Sequence, residues 1–299
     1  MGETCSFFGS SGAKISIGTA QFGLNYGISN ANGQIQFDEA QEIIRYAKAN
    51  GVRRIDTAIA YGSSEEVLGK IGVDGLEVFS KLPPIPQDCP NLNNWLISEV
   101  SNSLFRLRIP KLDGLLLHKP SDLFGPFGPL LISSLKSLKK SNLVDKIGVS
   151  IYKPSELDAI SSLIGLDAVQ CPFNVLDDRL NKTGWMNRLD NSNIEIQVRS
   201  IFLQGLLLMS PEDRPPYFNK WEFELNVWDR YIKQSGVSAF NVCLGHALRQ
   251  KKINKIVVGV DSFQQLTQII DAGKSYLDVQ SIKFNIDDEG LLNPSLWRL

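Results

Sequence analysis

Four ionisable side chains between positions 56 and 118 have the types and placement that proton transfer requires. Asp56 sits at the end of the run Arg-Arg-Ile-Asp-Thr-Ala, and Tyr61 follows it by five residues. Lys81 comes at the end of Glu-Val-Phe-Ser-Lys-Leu, and His118 closes Leu-Leu-Leu-His. A phenol with its ordinary pKa of about 10 exchanges protons poorly at neutral pH. A nearby ammonium favours the phenolate and lowers that value. A carboxylate can keep the ammonium charged and in place, a pairing that matters for position more than for stability. An imidazole can hydrogen-bond a reacting oxygen or relay a proton. Taken singly, such residues are ordinary turn, rim or packing groups; the combination carries the information. Of the two histidines, His246 falls in the helical pattern 240–250, where packing or surface exposure is expected.

The elements that must position these groups follow from the apolar pattern. Short β-rich runs at 14–19, 53–57, 77–82, 112–118, 146–150, 168–171, 194–200 and 255–259 alternate with amphipathic stretches. Asp38 with Gln41, Ser63 with Glu66, and Ser262 with Gln265 have the spacing of capping boxes at helix starts. Ile43, Ile44 and Ala47, then Leu131, Leu135 and Leu138, recur at helical spacing. Eight alternating units predict parallel strands with helical crossovers, closed into an α/β fold of the (β/α)8 TIM-barrel type, with long βα loops at its C-terminal face. No linker or charge block interrupts the chain, so residues 1–299 are expected to form a single barrel domain. An open doubly wound sheet is the competing architecture, but no G-x-G-x-x-G follows the first run. In a barrel, the ends of strands 2, 3 and 4 would aim all four groups at one mouth.

Composition narrows the function classes. Hydrophobic residues are 43% and charged residues 21% of the 299, which suits a folded chain with a sizeable core. Lys and Arg (31) nearly balance Asp and Glu (32), so nucleic acid is not an expected partner. No apolar run approaches the roughly 20 residues of a membrane span, and the N-terminus lacks signal-peptide character, so a cytoplasmic protein without a membrane partner is expected. Cys5, Cys89, Cys171 and Cys243 lie far apart and are expected to be free thiols, with no metal site. A metal-dependent barrel hydrolase would need more than two histidines or a strand-end carboxylate cluster. With no strong apolar stripe on an outer helix, a monomer is the default.

The stretch Asp56-Thr57-Ala58-Ile59-Ala60-Tyr61-Gly62-Ser63-Ser64-Glu65, followed by Lys81 and His118, resembles the catalytic tetrad of the aldo-keto reductases. Residues 17–23, 147–150, 169–174, 203–207 and 257–259 are similar to that family's first, fifth, sixth, seventh and eighth strand regions. The resemblance implies an NAD(P)-dependent oxidoreductase that reduces a small-molecule carbonyl (aldehyde, ketone or sugar carbonyl) to an alcohol by hydride transfer. Tyr61 would be the proton donor, assisted by Lys81 and Asp56, with His118 holding the substrate oxygen. Ser150 and Gln170 match positions that grip the nicotinamide carboxamide, although Ile151 stands where the family commonly has Asn. Arg199 replaces a Tyr that stacks on the nicotinamide in many relatives; a guanidinium can also stack, and a solvent-facing or ion-paired Arg is the alternative. Ser200 and Gln204 follow it as further implied cofactor contacts.

For the adenosine half, Gly259, Asp261, Ser262 and Gln265 match the binding loop and helix start. Asp261 occupies a position usually held by Arg or Lys in NADP-preferring relatives, and Gln268 and Ile269 replace a common Glu-Asn pair. The cofactor is thus NADP or NAD, with weak discrimination expected. Phe22, Tyr26 and Phe173 are expected to line the substrate pocket. The Pro-rich loops after Lys81 and His118 should be stiff, and the aromatic-rich segment 208–228 is expected to act as a lid or to pack on the barrel. Similar openings and segments like Arg-Ser-Ile-Phe-Leu-Gln-Gly occur in relatives of bacterial sugar and surface-polysaccharide metabolism. The other role the resemblance allows is a non-catalytic, nicotinamide-cofactor-binding regulatory subunit, as in potassium-channel β subunits.

Overall fold

The computed structural model describes residues 11–28, 30, 32–274 and 282–299. Its eight strands are β1 (Ile15–Gly18), β2 (Arg54–Asp56), β3 (Glu77–Leu82), β4 (Leu112–Leu117), β5 (Val144–Ser150), β6 (Ala168–Pro172), β7 (Glu195–Arg199) and β8 (Lys255–Gly259). All pair in parallel and in order, and β8 returns to β1 through Ile15 opposite Ile256, so the sheet closes. The chain is a (β/α)8 TIM barrel, with strand bounds within a residue or two of those expected from sequence. Parallel strands covered on both faces read as apolar runs, which is why they were legible.

Helices between the strands cover the outside. Phe37–Ala49 buries Ala40, Ile43, Ile44 and Ala47, and Gly128–Lys140 buries Leu131, Leu135 and Leu138. Two expected caps differ. Asp38 lies inside the first turn of its helix, whose cap position is Gln36. Ser63 is at a cap position, but its hydroxyl accepts from Gln34 Nε2 at 3.0 Å instead of an amide of its own helix. Ser262 does cap Phe263–Lys274, accepting from the Gln265 amide at 3.2 Å. The Gln265 side chain reaches the amide of Asp261 instead of that of Ser262.

The period-two pleat gives the barrel its interior: Arg54 and Asp56 share a face, as do Phe79 with Lys81, and Glu195 with Gln197 and Arg199. A small apolar cluster of Phe79, Leu116 and Ala168 fills the middle. Below it, buried Arg54 lies 4.1 Å from the Phe79 ring centroid and pairs with Glu77 and Glu195. Lys146 Nζ donates to the same Glu195 at 2.5 Å. Burial alone would raise the Glu195 pKa; Arg54 and Lys146 more than reverse that and bring it to about 2. The N-terminal end of the barrel is therefore plugged by charge, not by a third apolar layer.

The segment 208–228 packs; it is not a lid. It makes short turns at Pro211–Asp213 and Pro216–Trp221 and enters the helix Glu222–Ser235. Phe218, Trp221 and Trp228 are buried in a second core with Leu291 and Leu292, and Phe218 meets Trp297 edge to face at 4.8 Å. Cys89, Cys171 and Cys243 are free and buried, while Cys5 lies outside the described residues. Among the described residues, no helix is long and apolar enough to cross a membrane.

Candidate active site

Asp56 and Lys81 form a buried ion pair at the C-terminal ends of β2 and β3. Lys81 Nζ donates to Asp56 Oδ1 at 2.5 Å and to the Thr57 carbonyl at 2.9 Å, with only 1% of Lys81 exposed. Burial pulls the Lys81 pKa down, but the Asp56 carboxylate and then the Tyr61 phenol more than counter it, so the pKa is raised and the side chain stays an ammonium. The Tyr61 ring centroid lies 5.1 Å from Lys81 Nζ, and the ring meets His118 edge to face at 5.9 Å. Burial, then the positive charges of Lys81 and Arg199, lower the His118 pKa to about 4. His118 is therefore neutral at pH 7: it can hydrogen-bond a substrate oxygen but is not an imidazolium acid there.

Two glycines fix the loop that carries Tyr61. A Cβ on Gly23 would lie 1.8 Å from the Tyr61 carbonyl oxygen and 2.5 Å from the Ser64 amide nitrogen. Gly62, at φ +53°, would in turn place a Cβ 2.4 Å from the Gly23 oxygen. The loops after β1 and β2 can touch only because both residues lack a side chain. Behind this contact, the buried Ser64 hydroxyl donates to Thr19 at 2.9 Å and lies 3.1 Å from the Thr57 hydroxyl. Glu65, 1% exposed, accepts from Ser80 at 2.8 Å, from Ser103 at 2.6 Å and from Arg106 at 2.7 Å. These bonds clamp the start of the helix Ser64–Ile71 behind Tyr61.

A polar chain runs from the plug up to the ion pair. Gln197 Nε2 donates to Glu195 Oε1 at 2.9 Å, and Gln197 Oε1 accepts from Gln170 Nε2 at 3.1 Å. Gln170 Nε2 also donates to Asp56 Oδ2 at 2.6 Å, and the Ser150 hydroxyl reaches Gln170 Oε1 at 3.4 Å. Asp56 is thus held from both sides.

A cavity of about 460 Å³ opens over these groups. Its lining includes Asp56, Tyr61, Lys81, His118, Ser150, Gln170, Arg199, Ser200, Gln204, Gly259, Asp261, Gln265 and Tyr26, each expected at the site from sequence. Ser262 is not in the lining, and its hydroxyl is occupied as a helix cap. Phe22 and Phe173 are fully buried and do not line the cavity either. Phe173 belongs to the core, and half-buried His246 stacks on it at 4.9 Å. The Pro-rich loops are tied to each other, Ile85 N donating to Asp122 Oδ2 at 2.8 Å, and stay outside the lining.

Sequence reading missed Gln21, Tyr152, Phe202 and Phe240, which do line the cavity. It also missed Gln197 below the floor. The alternation Glu-Ile-Gln-Val-Arg in β7, unusual for a strand buried on both faces, was the available signal for a polar interior. Arg199 is half-buried: Nη2 donates to the Ile151 carbonyl at 3.0 Å, Nη1 to the Ser200 hydroxyl at 3.3 Å, and the guanidinium lies 4.6 Å from the Tyr152 ring centroid. It is neither solvent-facing nor paired with a carboxylate among the described residues. The backbone beyond it holds Ser200, Leu203 and Gln204 at φ +60°, +49° and +53°. Left-handed non-glycine residues are strained, and Ser200 and Gln204 line the cavity, where such strain concentrates. Gln204 Nε2 donates to the Tyr26 hydroxyl at 3.0 Å, which closes the wall on that side.

Residues 14–284 match the model of the Aldo/keto reductase family. The chain belongs to that family of oxidoreductases. Aldo-keto reductase YhdN of Bacillus subtilis is 26% identical over 183 residues, covering 56% of this chain and 53% of that protein. The match therefore spans about half the length of that relative. D-arabinose 1-dehydrogenase of Saccharomyces cerevisiae is 25% identical over 259 residues, 77% of this chain and 75% of that protein. Among solved structures, the holo form of an aldo-keto reductase from Bacillus halodurans superposes with a TM-score of 0.70 at 17% identity, over 90% of this chain and 88% of that one. The glycerol dehydrogenase of Gluconobacter oxydans gives 0.69 at 22% identity, with the same coverage of the two chains. The last two show a shared fold.

Proposed function

We propose that this protein reduces a small-molecule carbonyl to an alcohol with a nicotinamide dinucleotide, Tyr61 donating the proton. One observation carries the reading: a buried, charged Lys81 held by Asp56 stands beside the Tyr61 phenol, and both face one cavity with a neutral His118. The ammonium makes the phenol a better proton donor to a developing alkoxide, because it stabilises the phenolate left behind. His118 orients the carbonyl oxygen by a hydrogen bond. The bound cofactor supplies the hydride.

The cavity wall suits such a cofactor. Gln21 Oε1, in the cavity lining, is buried without a partner and lies beside Gly259, so an acceptor there is open to a ligand hydroxyl. Asp261, bonded through its Oδ2 to Gln265 at 3.1 Å, offers a carboxylate and not a cation at the adenosine end. A carboxylate can accept from a free ribose hydroxyl and repels a 2'-phosphate. NADH should therefore serve nearly as well as NADPH, and a kcat/KM preference for NADPH above about 100-fold contradicts this.

The reading is tested by following oxidation of NADH and NADPH against a panel of aldehydes, ketones and sugar carbonyls, with Tyr61→Phe as the control. Loss of a proton donor should cost about 10² to 10⁴ in kcat with cofactor affinity unchanged. Activity within about threefold of wild type removes Tyr61 from the role.

A further inference from the structure

We infer that Arg199 supplies a hydrogen-bond donor for the carboxamide oxygen of a bound nicotinamide, a group that Gln170 can serve only as an acceptor. The inference rests on the functional reading above, together with the family resemblance that sets the carboxamide against Ser150 and Gln170, in β5 and β6.

The argument is an inventory of donors. Both N–H groups of the Gln170 amide are in use, one to Asp56 Oδ2 at 2.6 Å and one to Gln197 Oε1 at 3.1 Å. Neither can be reversed. Asp56 is an anion and only accepts. Gln197 presents its oxygen upward because its own nitrogen donates to the Glu195 carboxylate at 2.9 Å. A flipped Gln170 would set oxygen against oxygen at both contacts. Its remaining oxygen faces Ser150, whose hydroxyl lies at the long distance of 3.4 Å and can turn to donate to a ligand instead. Toward the cavity Gln170 shows lone pairs alone, and Ser150 has a single hydrogen to give.

A primary carboxamide has two N–H donors and one carbonyl acceptor. Gln170 answers an N–H, and Ser150 brings the pair's one hydrogen for a carbonyl oxygen that can accept two bonds. The next residue, Ile151, is fully buried and apolar, so its side chain offers nothing. Arg199 stands at that place. Its Nη2 donates to the backbone oxygen of Ile151 at 3.0 Å, its Nη1 makes a long bond of 3.3 Å to the Ser200 hydroxyl, and Tyr152 supports its plane. Two neutral acceptors leave further N–H groups of the guanidinium free, and no carboxylate among the described residues pairs with it. A half-buried cation lining a cavity without a counter-ion is set to donate to a ligand.

Dissociation constants measured on the full chain, by quenching of tryptophan fluorescence, test this with three probes: NADH, its thionicotinamide analogue and ADP-ribose. The thio analogue keeps the N–H donors and replaces the carbonyl oxygen with sulfur, a poorer acceptor. ADP-ribose lacks the nicotinamide and reports on integrity of the remaining site. Wild type is expected to bind NADH several-fold more tightly than the thio analogue. Arg199→Met should weaken NADH by roughly tenfold, reduce that discrimination to less than about twofold, and leave ADP-ribose within about twofold. An unchanged ratio of NADH to thio analogue in the variant overturns the inference alone, as does an equal fall in ADP-ribose affinity, which marks a structural role. Failure of wild type to bind any nicotinamide dinucleotide overturns the functional reading, and this inference with it.

Discussion

At the scale of single residues, the Asp56–Lys81 pair has the sharpest consequence. Two charges this deeply buried cost several kcal/mol each to desolvate, so the pair is poor evidence of stabilisation and good evidence of a requirement for position. Asp56→Asn leaves the ammonium without its counter-charge and should destabilise the fold by about 3–5 kcal/mol, read by urea unfolding. Asp56→Asn combined with Lys81→Met removes both charges and should recover most of that stability while remaining inactive. A double variant as unstable as the single one would assign the pair to folding. The candidate site was legible at this scale because Asp56, Lys81 and His118 each end a β-rich run and Tyr61 follows the first of them in its loop. Phe22 and Phe173 misled for a related reason: lying next to a strand end does not say which way a side chain points. Arg199 was visible as a residue but not as a contact, since only the folded chain shows that it rests on the carbonyl of Ile151.

Among the elements, the β1 and β2 loops are docked through glycine, and the position of Tyr61 depends on that contact. In Gly23→Ala the new methyl would sit 1.8 Å from the Tyr61 carbonyl oxygen, so the two loops must part. A shift of about 1 Å at a reacting group can cost roughly 100-fold, so kcat should fall by at least tenfold, with a stability loss of about 1–3 kcal/mol. Gly165→Ala is the control, because a Cβ there meets nothing within 4 Å. Equal kinetics in the two variants would mean that the glycine contact does not place Tyr61. The strands and most helices could be read from periodicity, whereas this contact could not: it joins residues far apart in sequence, and two glycines carry no pattern. The caps at Asp38 and Ser63 failed similarly, because Gln34 competes for one hydroxyl and the other helix starts earlier than its spacing suggests.

For the whole molecule, two half-buried histidines tie stability to pH. His118 and His246 each have a pKa lowered from 6.5 to about 4, first by burial; Lys81 and Arg199 add to it at His118, and Arg249 at His246. The unfolded chain therefore binds more protons than the folded one between about pH 4 and 6.5. Their contribution is fully present above about pH 6.5 and is lost as the pH falls through that window. At about 1.4 kcal/mol per unit, each histidine contributes about 3 kcal/mol of this acid sensitivity. His246 stacks on Phe173, and its buried Nε2 has no partner, so a charge there is unwelcome. His246→Met should reduce the loss of unfolding free energy between pH 7 and pH 4 by roughly half. An unchanged pH dependence would show that the imidazole charges without cost. The barrel itself was apparent from eight alternating units, but its charged lower end was not. Arg54, Glu77, Lys146 and Glu195 are ordinary surface types until closure of the sheet turns them inward against one another.

The most direct test of the central claim follows an atom. With NADH or NADPH deuterated on the transferring face of C4, an accepted carbonyl should yield an alcohol carrying the deuterium on its carbinol carbon. Tyr61→Phe, equally loaded with cofactor, should form that product at least about 100-fold more slowly. Deuterium retained on the cofactor while product forms, or transfer at the wild-type rate without the phenol, contradicts the account.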